Sequence, residues 1–237
     1  MGRAFEKRKH KMFARSDKMA KLFTKYGREI AMAVKASGPD PDMNPRLRTA
    51  IQNAKGVNMP KDRIDAAIKR AASKDETNYE EVVYSGMGPN GVAIIIEAAT
   101  DNPTRTVANI RSYLKRAEGS LGQTGMHDFI FTRKGVFTVS LDGIDPEELE
   151  LDLIDEGLEE IEVEGNEAIL TTSFEDFAKM QKALDAKKIQ VTNAEFQQIS
   201  TVFRELAGEQ AEAIHELIDK IDSDDDVQSV YHNMKEE

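Results

Sequence analysis

Over the first third of the chain, apolar positions recur every three to four residues, the period of amphipathic helices. Ser16-Asp17 is placed to cap a helix reaching about Lys35, with Ser37-Gly38-Pro39 ending it. On a helical wheel Met19, Leu22, Phe23, Tyr26, Ile30 and Val34 share one face, and Lys11, Lys18, Lys21, Lys25 and Arg28 share another. After the turn PDPDMN, Asn44 is positioned to cap a second helix that opens on Pro45 and closes at Gly56. Its apolar stripe is Leu47, Ala50, Ile51 and Ala54. Pro60 opens a third helix with Ile64, Ala67, Ile68 and Ala71 inward. None of these short helices can bury its apolar face alone, so a small bundle over 1–75 is expected, followed by a polar linker, SKDETN (73–78).

From Tyr79 the period changes. EVVYSGM and GVAIIIEAA read as strands around the turn Gly88-Pro89-Asn90-Gly91. Asn102-Pro103 starts a helix with Val107, Ile110 and Leu114 inward. GSLGQTG (119–125) is too rich in glycine for an element, and HDFIFTR (127–133) reads as a strand. VFTVSL, PEELELDLID, LEEIEVE, EAILTT, FEDFAKMQKALDA and IQVTNAEFQ then follow in the order βαββαβ, a ferredoxin-like unit. TVFREL (201–206) reads as a strand, Glu209 to Ile221 as a helix and Val227 to Tyr231 as a last strand. A strand, helix and strand after a complete βαββαβ unit imply an insertion. The expected fold is therefore α+β with three domains: a basic helical bundle (1–75), a discontinuous α/β sandwich (79–133 plus 200–237), and an inserted ferredoxin-like α/β sandwich (134–199).

Charge sharpens this division. The 237 residues carry a formal net charge of −11, but residues 1–75 hold 19 Lys and Arg against 8 Asp and Glu, a net of +11. The remainder is strongly acidic, with a net of −22. A basic module on an acidic body points to a polyanion contacted by the first third. No apolar run is long enough for a membrane span. The N-terminus lacks the apolar segment of a secretory signal; its basic character imitates a mitochondrial presequence, but it holds Glu6 and only one Ser. With no cysteine, disulfides, thiolate zinc sites and a cysteine nucleophile are excluded, as a reducing cytoplasm would allow.

The candidate nucleic-acid contacts are Arg8, Lys9, Lys11, Lys18, Lys21, Lys25 and Arg28, joined by Arg46, Arg48, Lys61, Lys69 and Arg70. Cations repeating every three to four residues can follow phosphates and gain from counterion release. The alternatives are a solvated helix face or an anionic protein partner. No base-reading pattern is evident, which leaves backbone or shape recognition, as with RNA. In Asp101-Asn102-Pro103-Thr104-Arg105-Thr106 an Asx cap is the simpler reading, and a phosphate meeting Arg105 at a helix N-terminus the other. Gly119, Gly122 and Gly125 form a loop able to cradle phosphate, although it lacks the Lys-Ser/Thr ending of a P-loop; a flexible contact loop is preferred. His10, His127, His215 and His232 have no metal-like spacing, and His127 and His232 read as structural. The acids at Asp222, Asp224, Asp225 and Asp226 lack an EF-hand pattern and read as a charged turn. No nucleophile–base pair, cofactor motif or metal site emerges, so no enzyme and no cofactor is expected.

Several segments together resemble the YebC family, which includes the mitochondrial translational activator of cytochrome c oxidase subunit I. They are KLFTKYGREI (21–30), NPRLRTAI (44–51), NMPKDRIDAAIKRA (58–71), GPNGVAIIIEAATDNPTRTVANIR (88–111), GSLGQTG (119–125) and DDDVQSVYHN (224–233). The resemblance covers nearly the whole chain. It implies a flat three-domain protein, cytoplasmic in bacteria, and a DNA-binding transcriptional regulator. Other members look like ribosome-associated translation factors that bind ribosomal or transfer RNA and help proline runs through peptide-bond formation, with the loops at 101–106 and 119–127 approaching a functional centre. An acidic interaction scaffold, with the basic segment serving only solubility, is a third reading. The expected partners are nucleic acid, DNA or RNA, and the ribosome, but no membrane, and the chain is expected to act as a monomer. Two departures from the family pattern stand out: GRAFEKRKHKM replaces the usual AGHSKWANIKHRK, and Gly125-Met126-His127 replaces Gly-Ser-Val.

Overall fold

The computed structural model describes residues 3–73 and 78–235, with side chains from residue 19 onward. The chain divides into two compact units, Met1–Tyr79 and Glu80–Glu237. The first holds α1 (Arg3–Ser37), α2 (Pro45–Gly56) and α3 (Lys61–Ala71). Ile30, Val34, Leu47, Ala54 and Ile64 form its buried centre, with Leu22, Phe23, Ala67 and Ile68 packed around it. The expected cap at Ser16-Asp17 is not used: α1 runs through it from Arg3. A capping pair stops a helix only where the preceding chain leaves helical geometry, and here it does not.

Asn44 does more than begin α2. Its Oδ1 accepts from the Leu47 N–H at 3.0 Å, and its Nδ2 donates to the carbonyls of Ala33 (2.7 Å) and Gly38 (2.9 Å). One buried amide thus ties the end of α1 to the start of α2. Replacing Asn44 with Ala is expected to cost roughly 1–3 kcal/mol, because a cap is lost together with the amide's bonds to one buried and one part-buried carbonyl. Urea unfolding followed by helical circular dichroism reads this directly; a loss below about 0.3 kcal/mol would remove the amide from that role.

The second unit contains two antiparallel sheets. One has the order β3-β1-β2-β8, built from β1 (Glu80–Met87), β2 (Ala93–Thr100), β3 (Ser120–Leu121) and β8 (Val227–His232). A single 3-10 turn, Pro89–Gly91, joins β1 and β2. Its helices are α4 (Pro103–Arg116) and α7 (Glu209–Asp222). Ile94, Ile96 and Ala98 of β2 face Ile110 and Leu114 of α4 and Ile214, Leu217 and Ile221 of α7. The alternate residues Ala93 and Ile95 pack on Ile130 and Phe131 from the opposite face. Burial on both faces explains why AIIIEAAT is apolar almost throughout.

The other sheet has the order β5-β6-β4-β7, with β4 (Phe131–Ser140), β5 (Leu158–Glu164), β6 (Glu167–Ser173) and β7 (Val191–Ser200). With α5 (Pro146–Ile154) and α6 (Phe177–Ala186) this is the ferredoxin-like βαββαβ arrangement, cored by Phe137, Leu153, Leu170, Met180 and Leu184. The fold class is α+β, as the pattern of elements implies. Three boundaries differ from expectation. HDFIFTR is not a separate strand: residues 124–130 are turns, and β4 runs unbroken through position 134, pairing with β7 from Phe131↔Ser200 to Val139↔Val191. β4 therefore starts at Phe131, within the segment read as a separate strand. TVFREL forms only an isolated bridge, Arg204 with Met234, and GSLGQTG includes the short strand β3.

At the seam of the sheets the Tyr231 hydroxyl lies 3.2 Å from the Phe196 carbonyl and 3.5 Å from the Glu97 carboxylate. Burial first, then the charge of Glu97, pushes its pKa far above the ordinary phenolic value. Tyr84 and Tyr113 are raised in the same direction, again chiefly by burial. A folded-state pKa raised above the unfolded one, near 10, gives stability that is complete below that value and lost as pH climbs toward the folded pKa. Unfolding free energy is therefore expected to fall above about pH 10, and Tyr231→Phe to flatten that fall. Denaturant titrations on either side of pH 10 check it; parallel curves for wild type and variant would contradict it.

Candidate nucleic-acid interface

The cations expected to contact nucleic acid all lie on the first unit. Lys21, Lys25 and Arg28 follow one another along α1; Arg46 and Arg48 are exposed on α2, and Lys61, Lys69 and Arg70 on α3. The side chains of Arg8, Lys9, Lys11 and Lys18, and that of His10, fall outside the described residues. Among the described residues of this unit, α1 and α3 leave a groove of about 390 Å³ between them. Arg28, Arg63 and Arg70 line it together with Phe23, Gly27 and Tyr79, and among the described residues no acidic side chain does. The Arg28 guanidinium sits 5.1 Å from the Tyr79 ring centroid, and Arg63 sits 5.5 Å from that of Phe23. Each arginine is thus braced on an aromatic face, which orients a flexible cation. Lys25 lies 5.8 Å from the Tyr26 ring.

Of the residues singled out from sequence, Arg28 and Arg70 meet in this groove. Arg63, Phe23 and Tyr79 join them unannounced. The signal was present: Arg63 and Arg70 are two helical turns apart and share a face, separated by the small Ala66 and Ala67. Opposite them Gly27 and Ala31 on α1 are also small, so the two backbones leave room.

The loops of the second unit behave differently. The Asn102 side chain accepts from the Arg105 N–H at 3.1 Å and caps α4, with Pro103 at its first position. Arg105 is occupied: its Nη2 donates to Asp226 at 2.7 Å and to Asp101 at 2.8 Å, and these bonds, Asp226 first, raise its pKa. The Asp226 carboxylate also accepts from the hydroxyls of Thr106 (2.8 Å) and Thr100 (3.1 Å). Asp224 accepts from Asn109 and from the Tyr113 hydroxyl, each at 3.0 Å. The acidic run is therefore not merely a charged turn: Asp224 and Asp226 are buried anchors that hold β8 to α4. Among the described residues no cluster of His, Asp or Glu is placed to hold a metal.

The glycine loop does not present a phosphate cradle. The Gly119 N–H donates to Leu114 O at 2.8 Å, the Gly122 N–H to Ser85 O at 2.9 Å, and the Gly125 N–H to Ser85 Oγ at 3.3 Å. Its glycines answer close packing. A Cβ on Gly119 would come 2.5 Å from the Met87 carbonyl oxygen, and one on Gly122 2.0 Å from Met126 Sδ. His127 does not open a strand; its Nε2 lies 2.7 Å from Gly86 O, which pins the turn against β1. His215 is exposed on α7. Asn102 and Gly119 stand at opposite ends of the 14-residue α4, about 21 Å apart along its axis, so the two loops do not begin from a common centre.

No helix among the described residues is long and apolar enough to cross a membrane. Residues 3–74 match the TACO1/YebC protein N-terminal domain, and residues 79–234 match the TACO1/YebC second and third domain. A protein of Cytophaga hutchinsonii named probable transcriptional regulatory protein is 56% identical over 236 residues, covering all of this chain and 99% of the relative. A Porphyromonas gingivalis protein of the same name is 50% identical, covering all of this chain and 98% of the relative. The crystal structure of a conserved hypothetical protein from Aquifex aeolicus superimposes with a TM-score of 0.82 at 34% identity, over 91% of this chain and 90% of that one. On the extent of these matches along both units, the chain belongs to the TACO1/YebC family.

Proposed function

We propose that this chain is a non-enzymatic regulatory protein of the cytoplasm that binds nucleic acid through its basic helices, and that it acts in transcription as a DNA-binding regulator. The observation that carries this reading is the concentration of Lys and Arg on α1, α2 and α3, with a net of +11 over residues 1–75 beside an acidic remainder. Such a surface gains affinity by releasing counterions from phosphates, while the acidic unit discourages contact elsewhere. The relatives' name, probable transcriptional regulatory protein, supports the regulatory part.

The aromatic-braced arginines favour a second reading, a translation factor on ribosomal or transfer RNA. Aromatic and arginine planes serve RNA and other unstacked strands better than a closed duplex. Co-sedimentation with ribosomes and binding to duplex DNA, each across a salt series, tests both readings. Salt-sensitive duplex binding without ribosome binding supports transcription, and the converse supports translation. Failure with both would leave an acidic interaction scaffold.

A further inference from the structure

We infer that the groove between α1 and α3 receives an unpaired nucleobase from a single-stranded segment, an inference that rests on the nucleic-acid reading above. Arg28 over Tyr79 and Arg63 over Phe23 present two cation–aromatic contacts within one groove. A flat heteroaromatic ring can lie against these aromatic and guanidinium faces, while Arg70, on the same lining, meets its phosphate. The volume, about 390 Å³, lies in the range of sites that hold a small ligand group, roughly 300–1,000 Å³. The three arginines among the described lining residues, with no acid beside them there, fit an anionic strand.

Gly27 separates this from a simple packing gap. It lies inside α1, where glycine is a poor helix former, and its φ is not one that requires glycine. Among the described residues, a Cβ built on it would meet nothing within 4 Å. Within this fold alanine would fit there and strengthen the helix. The bare backbone at the groove floor is therefore explained by the approach of something outside the chain.

The test uses the full-length chain and fluorescein-labelled 12-nucleotide strands of RNA and of DNA, each single-stranded and as a duplex. A second set carries 2-aminopurine, whose emission falls when it stacks. Single strands should bind more tightly than duplex, with the 2-aminopurine emission changed on binding. Gly27→Leu, which fills the floor, and Tyr79→Ser, which removes a stacking plane, should each weaken single-strand binding by about 5- to 100-fold. Gly27→Ala should melt at or above the wild-type temperature and still bind more weakly, which separates the site from folding. Parallel RNA and DNA arms show whether the sugar matters. Equal binding of single strand and duplex, with all three variants unaffected, would overturn the groove inference while the broader reading stands. Absence of binding to every oligonucleotide would overturn both.

Discussion

Asp226→Ala is expected to destabilise the second unit by roughly 2–4 kcal/mol, a large share of the 5–15 kcal/mol that holds a typical domain together. Asp226 is 3% exposed, and its carboxylate accepts from two hydroxyls that are themselves fully buried, Thr100 and Thr106. Alanine leaves the two hydroxyls only the 2.8 Å bond between them and the longer 3.2 Å bond from Thr106 to the Asn102 carbonyl, in place of two bonds to a buried carboxylate. The Arg105 guanidinium, half in water, can turn outward toward Asp101, so it adds little to the loss. Asp226→Asn retains an acceptor without the charge and should lose about half as much. Glu216→Ala, on the exposed side of α7, should stay within about 0.5 kcal/mol of wild type. Guanidinium unfolding, with hydrogen exchange at the α4 amides, measures all three. An Asp226→Ala loss no larger than that of Glu216→Ala would show that the cluster is incidental.

That cluster also marks where reading the sequence stops. The helices of the first unit and the βαββαβ order were legible because their signals are local. Asn-Pro pairs open α2 and α4 in the structure as the sequence implies, and Asp145-Pro146 opens α5 in the same way, each with a capping side chain at 2.8 to 3.1 Å. Four acids in five residues look solvated until α4, more than a hundred positions earlier, supplies Thr106, Asn109 and Tyr113 to bury two of them. The same limit applies to β4. Arg133, Lys134 and Gly135 break its apolar run, but partners on β6 and β7 carry the strand across them. Position 133 is occupied by packing of another kind: its guanidinium lies 4.9 Å from the Phe174 ring and 4.7 Å from the Phe196 ring, two aromatics that also touch each other and that meet it only in three dimensions. In the candidate interface the cations were legible individually. Their convergence with Phe23 and Tyr79 was not, since it depends on how α3 lies along α1.

Reversing charge outside the groove separates electrostatic attraction from base contact. Lys21, Lys25 and Lys69 are not among the residues that line the groove. For the triple variant Lys21→Glu, Lys25→Glu and Lys69→Glu, nucleic-acid affinity is expected to fall about 100- to 500-fold at ~0.1 M salt. Each phosphate contact contributes about 0.7–0.9 to the slope of log K against log salt concentration, so three lost contacts remove roughly 2–3 from that slope. At ~0.1 M the same increments equal the loss in log affinity, and repulsion from the new carboxylates adds to it. Single strands and duplexes should suffer alike, because a phosphate contact carries no base information. Lys182→Glu, on exposed α6 in the acidic unit, should leave affinity unchanged. A triple variant with the wild-type slope would remove these helices as the binding surface, whatever the groove does. An equal loss from Lys182→Glu would show that net charge alone, rather than a built surface, sets the affinity. Only if the triple variant loses slope while Gly27→Leu loses single-strand preference do the helices act as two superimposed devices, a phosphate track and a base receptor.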